Sequence, residues 1–321
     1  MLYPLTFQPI FKERVWGGRN LERLYGKALP AGVPIGESWE VSDRPGDVSI
    51  IANGPLAGRD LHWLMEHRGK ELLGDAQPRG RFPLLIKLLD AEEKLSLQVH
   101  PPGHKAAELG GEPKTEMWYI ADAKPGAELY VGLKRGVTRQ EFERKIASGT
   151  VEDCFHRVSV KQGDVMFLPS GRVHALGAGL VIFEIQQNSD TTYRVFDWNR
   201  KGLDGIPREL HVQQSLESID FDDFEPELIE FKPIGEVVQP LVKNSLFTVE
   251  AWDLNALEPV SLESGKAHIL AVLSGSLRVS SADTELSVLP GQFCLLPASR
   301  QETRISARTG ARFLRIEPGT S

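Results

Sequence analysis

Polar and apolar residues alternate without a break over residues 94–100 (KLSLQVH). Side chains two apart on a strand share a face. Leu95, Leu97 and Val99 therefore form an apolar face, and Ser96, Gln98 and His100 a polar one. A hydroxyl, an amide and an imidazole in one row imply that this face looks onto something polar. Pro101-Pro102-Gly103 ends the strand. Further on, Glu116 opens a second strand-like run, with Trp118 and Ile120 on its own face. The run LVIFEIQQNSDTTYR repeats the alternation. Phe183 and Ile185 face one way and Glu184, Gln186 and Asn188 the other, with Asp190, Arg194, Asp197 and Arg200 following.

Elsewhere the period changes. Residues 1–53 read as short β pieces, in which Trp16-Gly17-Gly18 and Gly36-Glu37-Ser38-Trp39 mark tight backbone and packed aromatics. Over residues 58–75, Leu61, Leu64, Met65, Leu72 and Leu73 fit a helix. His62 and His67 on that helix do not share a face, so no ligand role is expected of them. Residues 83–90 (PLLIKLLD) form a continuous apolar strand. Residues 138–148 fit an amphipathic helix, with Thr138 and Glu141 in capping-box spacing and Gly149 closing it. Strands fill residues 156–200, a helix is expected over 207–218, and every segment from about Leu241 onward is strand-like. Many short strands punctuated by turns imply sandwiches or barrels.

A weak internal repeat divides the chain. Gly163-DVMFL-Pro169-Ser-Gly171-Arg-Val-His174 aligns with Gly291-QFCLL-Pro297-Ala-Ser299-Arg-Gln-Glu302, and Glu116-MWYIAD falls opposite His268-ILAVLS. The chain thus reads as two related β units, the second having exchanged its histidine for a glutamate.

Composition narrows the function. At 321 residues, with 41% apolar and 25% charged residues, the chain is ordinary for a globular protein of about two domains. A formal charge of −7 gives no basic field for nucleic acid. Cys154 and Cys294 are expected as buried free thiols of a reducing compartment. With no signal-peptide core and no long apolar run, a cytoplasmic location without a membrane partner is expected.

The run Gly163-x5-Pro169-x-Gly171-x2-His174 resembles the second motif of the cupin superfamily, and Gln98-x-His100 with Glu116 a variant of the first. Two histidines, a carboxylate and an amide oxygen suit a divalent first-row metal. Two histidines and a carboxylate also describe an iron-dioxygenase triad, but the fourth ligand and the nearby arginines argue against that. Arginine's planar fork suits phosphate.

Taken with WGG (16–18), GESWEVSD (36–43), LLIKLLDAEEKLSLQVHP (84–101), KTEMWY (114–119), LPSGRVHAL (168–176) and QQNSDTTYRVFDW (186–198), the chain resembles the type I mannose-6-phosphate isomerases of the shorter bacterial class. That resemblance implies a mainly β protein of two cupin-type jelly-roll barrels, with a few helices in and around the first. It implies a catalytic unit over residues 1–235 and a degenerate unit over 236–321. It implies one Zn2+ per chain on Gln98, His100, Glu116 and His174, and a sugar-phosphate substrate. Arg194 corresponds to the family's active-site arginine. Ser96, Lys114, Lys134, Glu184, Asp190 and Arg200 match pocket positions, with Glu184 or Lys114 as the base. The longer members' NHKPE stands here as GEPKTE, so Pro113 replaces their histidine, and no mechanism that needs it can run in this chain.

Overall fold

The computed structural model describes residues 1–74, 80–230, 237–256, 258–262, 264–281, 284–300 and 302–319. The expected unit boundary between residues 235 and 236 lies outside the described residues.

In the first unit an antiparallel sheet of six strands runs in the spatial order Ile10–Gly18, Ile35–Val41, Leu84–Ala91, Leu180–Gln187, Glu116–Ala123, Val165–Leu168. A second sheet of five runs Tyr193–Phe196, Leu97–Val99, His174–Leu176, Glu128–Leu133, Phe155–Ser159. Trp118, Ile120 and Ile182 from the first sheet pack against Leu129, Val131 and Leu176 from the second. Side chains rather than a continuous hydrogen-bonded barrel therefore close this cupin jelly roll. On the outer face of the second sheet, Leu97, Val99, Tyr193 and Val195 lie under Phe142 and Leu216 of helices Arg139–Ser148 and Val212–Ser218. That covering leaves the Gln98 face turned inward, as the alternation requires.

The helices follow their end signals. Thr138 Oγ1 accepts from Glu141 N at 3.2 Å, and Gly149 closes that helix with φ 72°. Asp60 caps helix Leu61–Leu73 by accepting from Trp63 N at 2.7 Å. The last helix begins at Val212, not at Pro207. Arg208 is instead drawn to Asp197, and His211 accepts from Arg194 N, so residues 207–211 are held against the site and not in a helical turn.

The second unit is one sheet of seven strands around the long strands His268–Ser281 and Thr303–Pro318. Register shifts between Val272 and Ser274 and between Gly275 and Leu277 let it curl. Leu270, Val272 and Phe313 thereby meet Leu277, Val279 and Ile305 inside.

The internal repeat is present in the register. Glu116 lies opposite Leu168, and His268 opposite Leu296. Trp118 pairs with Glu184 and Glu184 with Lys87; likewise Leu270 pairs with Arg315 and Arg315 with Glu250. The outward-facing residues of both sheets (Ile86, Met117, Phe183 and Ile185 in one; Val249, Ile269, Leu314 and Ile316 in the other) share one core. The two units thus sit back to back, each with its polar positions on the far side. Both cysteines are buried and free, and no helix among the described residues is long and apolar enough to cross a membrane.

Candidate metal centre and cavity

Three strands bring the predicted ligands together. His174 is the direct register partner of Gln98, and Gln98 on its other side is the partner of Arg194. Glu116 enters from the opposite sheet at the first residue of Glu116–Ala123. Ligand atoms of His100, Glu116 and His174 all lie within 4.8 Å of one another, and all three residues are buried. Glu116 Oε1 is 3.3 Å from His174 Nε2, and Oε2 is 3.7 Å from His100 Nε2. Donors about 2.1 Å from a tetrahedral ion lie about 3.4 Å apart, so the spacing fits.

The imidazoles are oriented for ligation. Nδ1 of His100 is 2.8 Å from Thr191 O, and Nδ1 of His174 is 2.9 Å from Arg172 O. A carbonyl can only accept, so each Nδ1 carries the proton and each Nε2 lone pair points at the centre. Burial, and then the Lys114 charge, push His100 down to about 3; burial lowers His174 as well. Both rings are neutral at physiological pH, as ligation requires. Burial works against the Glu116 charge, yet Lys114 Nζ at 2.8 Å holds that carboxyl well below the usual range. Apart from the Lys114 ammonium, neither Glu116 oxygen has a hydrogen-bond partner among the described residues, an expensive arrangement for a buried carboxylate that a bound dication resolves. The Gln98 amide nitrogen lies 3.4 Å from His174 Nε2, and a half-turn of the amide presents its oxygen to the same point.

A cavity of about 410 Å³ opens beside this cluster, lined by Ser96, Gln98, Lys114, Glu184, Asp190 and Arg194 among others. Trp118 Nε1 donates to Glu184 Oε1 at 3.1 Å, and Lys87 Nζ is 3.2 Å from Oε2. Burial lifts the Glu184 carboxyl above the ordinary range against the pull of Lys114 and Lys87. For Lys114, burial opposes the charge, but Glu116, Glu184 and Asp190 outweigh it and hold the ammonium more firmly protonated than usual.

At the outer end, Asp197 accepts two bonds from Arg208, each 2.6 Å, and one from Arg200 at 3.0 Å. Among the described residues the Arg194 side chain reaches only the Glu209 carbonyl, at 2.8 Å, and its buried Nε has no partner. Burial, and then the Arg208 charge, make the Arg194 guanidinium easier to deprotonate than usual. Three guanidiniums against Asp197 and the more distant Glu93, 4.0 Å from Arg200, leave positive charge to spare.

Two expected pocket residues are not brought to the cavity. Lys134 is exposed just beyond strand Glu128–Leu133, outside the lining. Arg200 turns to Asp197 and the Lys94 carbonyl and does not line the cavity either, whereas Arg208 does. Other lining residues were not expected from the sequence: Arg14, Trp16, Glu37, Lys87, Trp118 and Arg208. Arg14 Nε bonds Glu37 Oε1 at 2.7 Å, and Trp39 Nε1 bonds Glu37 Oε2 at 2.7 Å. Burial opposes the Glu37 charge, but Lys87 and Arg14 hold it down to about 2. The Gly17 and Gly36 signals had the right meaning but not its consequence. A Cβ at Gly17 would meet Gly36 N at 2.4 Å, and one at Gly36 would meet Arg14 Cβ at 2.6 Å. Only glycine lets these strands cross so closely, and the crossing brings Arg14 and Trp16 over the cavity.

Residues 5–125 match the family model of the phosphomannose isomerase type I catalytic domain, and 238–315 that of the mannose-6-phosphate isomerase cupin domain. The chain is 39% identical over 304 residues to the probable mannose-6-phosphate isomerase GmuF of Bacillus subtilis, covering 93% of this chain and 94% of that relative. It is 37% identical over 310 residues to mannose-6-phosphate isomerase ManA of the same organism, covering 94% and 95%. The crystal structure of a Bacillus subtilis mannose 6-phosphate isomerase matches with a TM-score of 0.88 at 33% identity, covering 98% of this chain and 99% of that one. A zinc-bound mannose 6-phosphate isomerase structure shares the fold with a TM-score of 0.80 at 18% identity. With register, ligand geometry and full-length similarity in agreement, the chain belongs to the type I mannose-6-phosphate isomerase family.

Proposed function

We propose that the chain is a zinc-dependent aldose–ketose isomerase that interconverts mannose 6-phosphate and fructose 6-phosphate in the first unit, residues 1–235. The observation that carries this is the buried His100, Glu116 and His174 triplet beside a cavity that also presents a proton acceptor and spare guanidiniums. His100, Glu116 and His174, with the Gln98 amide, would hold zinc, and the buried Glu116 oxygens, which meet no donor but the Lys114 ammonium among the described residues, fit that role. When bound, zinc supplies Lewis-acid stabilisation of negative charge on the sugar's oxygens.

The reaction moves one proton between C2 and C1 of the open-chain sugar. The C2–H bond breaks, its electron pair forms the C1–C2 double bond of an enediolate whose negative charge falls on O1, the O2 hydroxyl proton passes to O1, and the carbon-bound proton returns at C1 as the C2 carbonyl forms. Glu184 is the base. A base works best when its pKa lies near the operating pH, and burial lifts Glu184 in that direction. The Trp118 indole N–H fixes Oε1, while Oε2, which faces the Lys87 ammonium at 3.2 Å, is the oxygen that takes the proton. Lys114 is held protonated by Glu116 and Glu184, so it stabilises charge and does not remove a proton. Arg194 and Arg208, with charge unmatched by Asp197, hold the phosphate. Ser96 and Asp190 face the cavity and bond the sugar hydroxyls. A cytoplasmic location fits this substrate and the two free cysteines.

Formation of fructose 6-phosphate from mannose 6-phosphate, followed in wild type and Glu184→Gln, tests the reading. Turnover by wild type and its near-abolition in the variant are expected, and equal rates would remove Glu184 from the mechanism.

A further inference from the structure

We infer that the second unit keeps a ligand site of its own, for a phosphorylated monosaccharide, at the place that corresponds to the metal centre. A cavity of about 470 Å³ lies there, lined by Lys243, Glu250, Trp252, Lys266, His268, Arg315 and Glu317 among others. Strand register fixes the correspondence: His268 stands at the position of Glu116, Arg315 at that of Glu184 and Glu250 at that of Lys87. Period-2 alternation turns these side chains away from the shared core, where Val249, Ile269, Leu314 and Ile316 are buried.

The charges are reversed, and so is the ligand they suit. A guanidinium beside His268 repels a metal ion. Arg315 Nε bonds Glu250 Oε2 at 2.9 Å, and its Nη1 lies 3.2 Å from Glu317 Oε2 and 3.2 Å from His268 Nδ1. Trp252 Nε1 also bonds Glu250, at 2.8 Å. A cluster retained only to hold the sheet would be packed, as interiors are; this one borders a cavity of hexose size. Carboxylates and a guanidinium fixed beside an indole form the kind of wall that bonds vicinal hydroxyls in pairs and covers the apolar face of a sugar ring. Lys266 Nζ pairs with Glu317 at 2.7 Å, while Lys243, also in the lining, has no ion-pair partner among the described residues. The exposed Lys243 ammonium at the wall is placed to meet an anionic group on the ligand.

The test is calorimetric titration of the zinc-loaded full chain with 1,5-anhydroglucitol 6-phosphate, which has no carbonyl to isomerise. Two binding events per chain are expected. Arg315→Met and, separately, Lys243→Met should each weaken one event by about tenfold or more and leave mannose 6-phosphate turnover unchanged; Arg194→Ala should weaken only the other event. The exposed Lys243 keeps the test open if Arg315→Met fails to fold. The absence of any event weakened by Arg315→Met or Lys243→Met, or such an event matched in affinity by inorganic phosphate, would overturn the inference. None of these outcomes depends on what the first unit catalyses.

Discussion

Where the first unit sets Lys87 and Glu184 on the wall of one cavity and Glu116 in the cluster beside it, the second sets Glu250, Arg315 and His268 at the same register positions. On the other face of the same strands the two units agree in kind: Ile86 and Val249, Met117 and Ile269, Phe183 and Leu314, Ile185 and Ile316 are all fully buried in one core. Fully burying such a side chain stabilises by about 1.5–3 kcal/mol, and these eight face one another across the seam. The back face is therefore fixed by folding, because a polar residue there would be stranded between two sheets. The front face is open to a cavity and free to take any charge the ligand requires. The chemistry of each unit lives on one side of its sheet and its stability on the other.

The largest expected effect lies at the metal. Glu116→Ala should lose zinc by elemental analysis and lower kcat by about ten-thousandfold or more, since charge stabilisation and positioning go together. Stoichiometric zinc with near-normal turnover would separate the triplet from catalysis. Next is the proposed base: Glu184→Gln should lower kcat about a thousandfold. The wild-type kcat should fall on the acid side at a pH above the ordinary carboxylate range, because burial raises Glu184. Lys87 draws that pKa down, so Lys87→Met should move the acid limb to higher pH. A limb unmoved by Lys87→Met would mean that another group titrates.

A stability effect comes third. Glu37 is held at about 2, from an ordinary 4.5, so its folded pKa is depressed. It stabilises the fold above the unfolded pKa, and that contribution fades as pH falls from about 4.5 toward about 2. The shift corresponds to about 3 kcal/mol. Glu37→Gln should lose about this much in denaturant titrations at pH 7, with a smaller difference from wild type near pH 3. Arg208→Ala should raise KM for mannose 6-phosphate by about 10- to 100-fold, the range for a lost charge-assisted bond, with kcat changed less. The smallest effect belongs to the second unit: His268→Ala, at the position of Glu116, should leave turnover and zinc content unchanged.

Legibility in the sequence divides along the same two faces. The candidate metal ligands could be read because alternation places Gln98 and His100 on one polar face and a spaced Gly–Pro–His motif supplies His174. Lys87 could not, because it sits inside the apolar run LLIKLLD, where one lysine reads as a flaw in a core strand. Glu37 and Arg14 were hidden by the glycines between them, which signal tight packing without saying that the packing roofs a cavity. Lys134 and Arg200 were placed by resemblance, which carries position but not the direction in which a loop turns. Arg200 and Arg208 both reach Asp197, and only the fold decides which of them also faces the cavity.

The most direct test of the central claim, that isomerisation belongs to a zinc site in the first unit alone, is the rate of fructose 6-phosphate formation after chelator treatment and return of zinc. It should be measured in parallel on wild type, Glu116→Gln and His268→Ala. Activity that vanishes and returns in wild type and His268→Ala, and never returns in Glu116→Gln, is the expected result. Activity that survives chelation, or that is lost in His268→Ala while Glu116→Gln recovers, would contradict the claim.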